Sequence, residues 1–155
     1  MTDGTPAAGA DIRRACWWGT GVFAVAAVAA VIVRSLRPVS VVVDVVLFAV
    51  GCVAFGAAYL LGLARSRSER IAVTGLYFLS GSAPADVRRS LLGALGVQVV
   101  VALATAIARP YTSLAAGTLV PMYGLGLCGL WAARHGTFPP RLDVDPPGGG
   151  RRRGR

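Results

Sequence analysis

Asp44 and Gln98 are the two polar side chains whose types and positions could do chemistry in this chain. Both lie inside long apolar stretches, and Asp44 is the one charged residue within those stretches. A charge costs roughly 2.5–3.5 kcal/mol at the middle of a membrane-spanning helix and indicates an ion pathway or a buried partner. Asp44 lies six residues past Pro38, about 9 Å along a helix. We therefore expect it to pair with Arg37 or Arg109, with ion or proton handling, or an interfacial acid without a role, as alternatives.

Gln98 and Pro121 are the other two intramembrane residues of interest. Gln98 falls near the middle of its apolar stretch, where an amide can join helices by hydrogen bonds worth under about 2 kcal/mol. We expect Gln98 to join helices by hydrogen bonds, and contact with a transported substrate is the alternative. Pro121 interrupts the last apolar stretch. Because proline has no N–H, it predicts a kink in that helix.

These residues lie within a set of four mostly apolar stretches, each of which has an arginine at both ends. They hold 19, 27, 19 and 24 residues, and about 20 apolar residues cross a bilayer core as a helix. The sequence therefore predicts an all-α fold, a four-helix transmembrane bundle built from two helical hairpins. The expected spans are about 15–33, 39–64, 90–108 and 112–133 within a membrane domain at 15–138.

The distribution of arginine predicts the topology. All 16 basic residues are arginine, and the formal net charge is +9. With the N-terminus inside, thirteen arginines lie on the inner side and only Arg34, Arg37 and Arg109 lie outside. Because basic loops stay in the cytoplasm, we expect both termini there. The cytoplasmic parts are then a tail at 1–14 and a loop at 65–89.

Two cytoplasmic segments have distinct expected roles. Ile71–Leu79 is apolar but only nine residues long, too short to cross, so it should lie at the interface or pack under the bundle; a re-entrant loop is the alternative. Residues 139–155 are rich in proline, glycine and arginine and should be disordered. The arginines at its end could each gain about 1 kcal/mol at an anionic leaflet: Arg151, Arg152, Arg153 and Arg155.

The remaining residues exclude most catalytic chemistry. The chain contains no nucleophile-elbow, phosphate-loop or paired-histidine zinc motif. One histidine without ligand partners makes no metal site, and Cys16, Cys52 and Cys128 have no metal or redox spacing. We therefore expect no enzyme activity, no cofactor and no metal. The positive charge fits topology and anionic lipid rather than nucleic acid.

The end of the last stretch resembles a known group of sequences. Pro121–Gly126 and Gly129–Arg141 are similar to the end of small, uncharacterised four-span membrane proteins of actinobacteria. The use of arginine for every basic residue fits such a source. The resemblance implies a bacterial inner-membrane location. That group has no known activity, so it supplies no site residues.

Three functions remain open on the sequence. The first is a non-enzymatic accessory or scaffolding protein that binds other membrane proteins through its spans or its inner loop. The alternative is a small transporter or channel component that uses Asp44 and Gln98 in an oligomer. The transporter hypothesis predicts that Asp44 faces the bundle interior or a symmetry axis, whereas the accessory hypothesis predicts that it faces Arg37, Arg109 or the outer interface. A weaker third possibility is a lipid-sensing or cell-envelope factor that acts through the basic inner face.

Overall fold

A computed structural model describes residues 9–67, 69–108 and 113–140, with only the backbone described at 113 and 114. Within these ranges the structure is helical and has no strand; the one β-type pairing is an isolated bridge between Glu69 and Pro140. The all-α fold predicted from the sequence is confirmed for this part of the chain.

The described residues form five α-helices and two 3₁₀ segments. In chain order they are α1 (Ala10–Ile32), a 3₁₀ turn (Arg34–Leu36), α2 (Arg37–Arg65), α3 (Val73–Tyr77), α4 (Ala85–Ala108), a longer 3₁₀ segment (Ser113–Leu119) and α5 (Pro121–His135).

Four helical stretches of the described chain are long and apolar enough to cross a bilayer, as predicted. They are Ala10–Ile32, Arg34–Arg65, Ala85–Ala108 and Ala115–His135, of 23, 32, 24 and 21 residues. α1 and α4 each begin five residues before the start of the predicted span, at Ala10 and Ala85. Apolar length marks only the lipid-embedded part of a helix, and charged residues extend a helix beyond the membrane without breaking it.

The helices pack on small residues and turn their large apolar side chains outward. Buried positions of α2 include Gly51, Ala54, Ala58 and Gly62, whereas Val53 is 74 % exposed and Ile107 on α4 is 78 % exposed. Outward-facing valine, leucine and isoleucine would be unfavourable in water. They suit lipid, where close packing of small residues joins the helices.

Contacts between the helices bring specific ends together. α2 packs most extensively against α5, and α1 against α4. Near the start of α1, Trp17 Nε1 donates a hydrogen bond to Ser90 Oγ (3.1 Å), and Arg13 pairs with Asp86 (3.6 Å) at the start of α4. The end of α2 meets the end of α5, because Arg65 donates to the Ala133 carbonyl. These four helix ends therefore lie at one end of the bundle.

Pro121 does not kink a continuous helix. It is the first α-helical residue of α5, and the chain before it winds as a 3₁₀ segment over Ser113–Leu119. Proline lacks the N–H that would continue an α-helix from the preceding turn, yet its fixed φ suits a first helical position. The fourth span is therefore a 3₁₀ segment followed by an α-helix rather than one bent α-helix.

The apolar part of the loop packs under the bundle. Ile71–Leu79 includes α3, and Gly75, Leu76, Tyr77 and Leu79 are buried. The Tyr77 ring stacks on Phe55 of α2 with centroids 4.3 Å apart, and its hydroxyl donates to the Phe55 carbonyl. Burial, with Tyr59 nearby, raises the pKa of the Tyr77 hydroxyl, so this hydroxyl remains a hydrogen-bond donor at neutral pH.

Candidate functional site

The candidate site is the face of α2 that carries Arg37, Ser40 and Asp44. Offsets of three and four residues place these side chains on one side of the helix. Ser40 and Asp44 are each 1 % exposed. The sequence allowed Asp44 either an outer position near water or an interior one; the structure buries its side chain among the helices, near the start of α2.

Phe23 of α1 and Gly117 of the 3₁₀ segment close the site from the opposite side. A Cβ built on Gly117 would lie 3.3 Å from Phe23 Cε2 and 3.8 Å from Asp44 Oδ2. Phe23 is fully buried. Gly117 therefore lies close to both the Phe23 ring and the Asp44 carboxyl group.

Three buried polar atoms of this face lack hydrogen-bond partners in the part of the chain that the structure describes. Asp44 Oδ1, Ser40 Oγ and Arg37 Nε are buried and unbonded among the described residues. The ion pairs among the described residues are Arg13–Asp86 and Arg65–Glu69, both away from this face. The expected pairing of Asp44 with Arg37 is therefore not formed. Arg109, the other expected partner, lies outside the described residues. Each unbonded buried group costs about 1–3 kcal/mol, and more if it is charged.

Gln98, unlike Asp44, has hydrogen-bond partners at both ends of its side-chain amide. Its Nε2 donates to Thr20 Oγ1 of α1 at 2.7 Å, and its Oε1 accepts from the Gly124 N–H of α5 at 3.2 Å. Thr20 in turn donates to the Cys16 carbonyl. Gln98 is completely buried on α4, so it joins three helices through both ends of its amide. This arrangement is the helix–helix glue expected from the sequence.

A second polar cluster lies where α2 and α5 end. The guanidinium of Arg65 donates to the carbonyls of Ala133 and Gly136, both at 3.0 Å, and its Nη2 lies 2.9 Å from Glu69 Oε2. It also lies over the ring of Phe138, 5.3 Å from the centroid. The Arg65 side chain thus caps α5 and anchors the following segment, a role that the sequence did not reveal.

Main-chain bonds attach the segment after α5 to the loop. The Arg70 N–H donates to the Pro139 carbonyl at 2.9 Å, and the Thr137 N–H donates to the Ser82 carbonyl at 3.0 Å. Pro139 and Pro140 were assigned to the tail from the sequence and here pair with the loop. We call residues 65–67, 69–84 and 136–140 together the loop face. Arg151, Arg152, Arg153 and Arg155 lie outside the described residues, so their expected lipid contact stays a prediction.

The described residues bring together no metal-binding set. No three histidine, cysteine, aspartate or glutamate side chains among them are close enough to hold a metal ion. Cys16 and Cys128 are buried and Cys52 is exposed, all as free thiols. The side-chain chemistry available at the candidate site is therefore that of one carboxyl group, one hydroxyl group and one guanidinium group.

The residues that surround Asp44 could be predicted only in part from the sequence. Ser40 precedes it by four residues, the spacing that places two side chains on one helix face, so that neighbour could have been identified. Phe23 and Gly117 are 21 residues before Asp44 and 73 residues after it. No local pattern reports such contacts.

The chain matches no protein-family model, and no curated protein or solved structure is detectably similar to it. The resemblance to four-span actinobacterial proteins therefore stays a prediction.

Proposed function

We propose that this chain is a small membrane transporter or channel component that moves a small cation, with Asp44 as the cation-binding residue. The observation that carries the proposal is the placement of Asp44 inside the bundle with Oδ1 unbonded. An interior position distinguishes the transport hypothesis from the accessory hypothesis. Gln98 has no part in this proposal beyond holding the helices, because both ends of its amide are occupied.

The energetics of burial support a functional role for Asp44. An ionisable group in a membrane span is expensive and usually faces a bundle interior, where it marks an ion or proton path. Within the described residues no arginine neutralises Asp44 and no donor satisfies Oδ1. A purely structural acid would be expected to have such a partner, whereas a cation-binding acid needs its charge available.

The interrupted fourth span also supports transport. The 3₁₀ segment Ser113–Leu119 precedes Pro121, and its Gly117 lies beside the Asp44 carboxyl. Transporters commonly form their ion sites at discontinuous helices, where backbone carbonyls are released from helical bonding. Seven residues is long for a 3₁₀ segment, and such stretches often mark hinges. A hinge beside the acid would let access alternate between the two sides.

The proposal includes the setting of the protein. Both termini lie in the cytoplasm, as the arginine distribution favours, and the membrane is the bacterial inner membrane, as the resemblance to actinobacterial four-span proteins implies. The protein forms two helical hairpins and acts as a homo-oligomer or with a membrane-protein partner, which would complete the walls of the pathway. It is not an enzyme, because the site offers one carboxyl group without a nucleophile–base pair.

Ion flux into vesicles tests the proposal. The purified full chain would be reconstituted with sodium- or pH-sensitive dye inside, and a potassium diffusion potential would drive uptake. We expect uptake above that of protein-free vesicles, and loss of at least nine-tenths of it in Asp44→Asn. Asp11→Asn is the matched control, since Asp11 is an exposed acid at the start of α1. Equal uptake by Asp44→Asn and wild type, or none by wild type, would refute the proposal.

A second candidate, the accessory or scaffolding protein, is favoured by the loop face. Arg65 and the main-chain bonds fix this surface against the bundle, and a fixed surface suits specific docking. Five exposed arginines lie on it or beside it: Arg67, Arg70, Arg88, Arg89 and Arg134. Such a surface would bind an acidic region of another membrane protein.

Co-purification tests the second candidate. The tagged chain would be extracted in mild detergent, cross-linked and examined by mass spectrometry. A stoichiometric membrane-protein partner that is lost when Arg67 and Arg70 are changed to Gln would support an accessory role. A homo-oligomer without another protein would count against it.

A further inference from the structure

We infer that Asp44 and Ser40 together bind a dehydrated monovalent metal cation, with Na⁺ as the ion of best fit. The inference rests on the proposed function, because it names the ion that the protein would move. Binding of that ion is argued from the geometry of the site and can be measured without measuring transport.

Two unbonded oxygens face the same side of α2. Asp44 Oδ1 and Ser40 Oγ are both buried, and neither has a hydrogen-bond partner among the described residues. Side chains four residues apart on a helix have Cβ atoms about 5–6 Å apart. An ion of the size of Ca²⁺, which Na⁺ closely matches, binds oxygens at about 2.3–2.6 Å. One such ion therefore spans the interval between the two side chains.

The kinds of donor atom select a hard cation. A carboxylate, a hydroxyl and carbonyls are oxygen ligands, which suit alkali and alkaline-earth ions rather than soft transition metals. A proton would need the carboxylate alone, so the buried Ser40 hydroxyl would have no role in a proton site. The shared position of both unbonded groups favours a coordinated metal ion.

The charge of the site selects a monovalent ion. A single carboxylate balances one positive charge, and Asp44 is the one acid within the four apolar stretches of the sequence. A divalent ion would leave an uncompensated charge in an apolar interior, which is strongly unfavourable. Arg37 lies two turns away on the same face without forming an ion pair with Asp44 in the described structure. α1 contributes the neutral Phe23 and the 3₁₀ segment contributes Gly117.

The 3₁₀ segment can supply the remaining oxygens. Pro121 has no N–H to donate to the preceding turn, so at least one carbonyl of that turn loses a helical partner. The Val120 N–H bonds the Gly117 carbonyl in a tighter, 3₁₀-type contact of 3.1 Å. Released carbonyls in broken helices coordinate Na⁺ in membrane transporters. Gly117 itself lies beside Asp44, since a Cβ built on it would be 3.8 Å from Asp44 Oδ2.

Sodium-dependent thermal stability tests the inference. The purified full chain in detergent would be heated in NaCl and in choline chloride of equal ionic strength. We expect NaCl to raise the Tm in a saturable way, since a ligand that binds only the folded state stabilises it. Asp44→Asn should abolish the increase, and Ser40→Ala should raise the apparent Kd at least fivefold. Ser35→Ala, at an exposed serine near the same helix end, should leave the Kd unchanged.

The outcomes separate this inference from the proposed function. Sodium-dependent stabilisation without flux would support the site and refute transport. Proton uptake that requires Asp44, with equal Tm values in NaCl and choline chloride, would support transport and overturn the sodium site. Equal sodium affinity in Ser40→Ala and Ser35→Ala would also overturn it. Direct binding of radioactive Na⁺ by equilibrium dialysis keeps the test valid if a variant changes the baseline Tm.

Discussion

At the scale of single residues, Asp44 and Gln98 show two different uses of a polar group in an apolar bundle. Both are buried, but Gln98 has hydrogen bonds at both ends of its amide, whereas Asp44 Oδ1 has none among the described residues. A bonded group has its desolvation cost offset by its partners. An unbonded group retains that cost until a ligand supplies the missing contact. We therefore assign structure to Gln98 and ion binding to Asp44.

Replacing Gln98 by Leu should destabilise the bundle. The change leaves the Thr20 hydroxyl and the Gly124 N–H without their amide partner, and buried hydrogen bonds in membrane proteins are worth roughly 0.6–2 kcal/mol each. We expect a loss of about 1–2 kcal/mol, measured by denaturation in detergent micelles. Val99→Leu, on an exposed face of the same helix, is the control and should change stability by less than about 0.5 kcal/mol. Equal stability of the two variants would contradict the assignment.

The sequence identified the important polar residues but not their partners. Charge and position inside apolar stretches were enough to single out Asp44 and Gln98, because polar groups in lipid are costly. Their contacts join residues far apart in the chain, such as Gln98 to Thr20 across 78 positions. Periodicity within one helix carries no information about such pairs.

At the scale of elements, the contact between α2 and α5 depends on two glycines. A Cβ on Gly51 would lie 2.5 Å from the Tyr123 nitrogen, and one on Gly126 would overlap the Gly51 carbonyl. The backbones of the two helices therefore touch directly. Close packing of this kind replaces the hydrophobic driving force, which does not act between helices in lipid.

Gly51→Ala should therefore weaken the bundle. The added methyl group would overlap backbone atoms of α5, and overpacking typically costs 1–3 kcal/mol. Gly56→Ala on the same helix is the matched control, because a Cβ there meets nothing within 4 Å. The control should be neutral or stabilising by up to about 1 kcal/mol, since alanine favours helix. The measurement is the midpoint of thermal unfolding in detergent; a Gly51→Ala midpoint equal to that of Gly56→Ala would show that the helices do not touch there.

The position of Pro121 was visible in the sequence, whereas the form of the helix break was not. The absence of an N–H group predicts that proline interrupts the hydrogen bonds of an α-helix. It does not determine whether the helix bends or changes to a 3₁₀ helix. The structure resolves this as a 3₁₀ segment followed by α5. Contacts of that segment with α2 and α4 are tertiary, so propensity alone could not predict them.

At the scale of the whole molecule, the chain is a small bundle with two chemically different ends. One end contains the buried face of Ser40 and Asp44, and the other contains the loop face held by Arg65. The number of spans followed from apolar length. The packing of Ile71–Leu79 beneath the bundle was one of two alternatives, and the capping role of Arg65 was not predicted. Its pairing with Glu69 at four residues' spacing was detectable, but its bonds to α5 are long-range.

The most direct measurement of the central claim is the current produced by a rapid sodium jump on proteoliposomes adsorbed to a capacitive solid support. Wild-type protein should give a transient that saturates with NaCl concentration, because each cation bound in the membrane moves charge through the field. Asp11→Asn should keep that transient, and Asp44→Asn should reduce it to the level of protein-free vesicles. A wild-type transient that persists unchanged in Asp44→Asn, or the absence of any wild-type transient with either Na⁺ or H⁺, would contradict the assignment of Asp44 as the cation-binding residue.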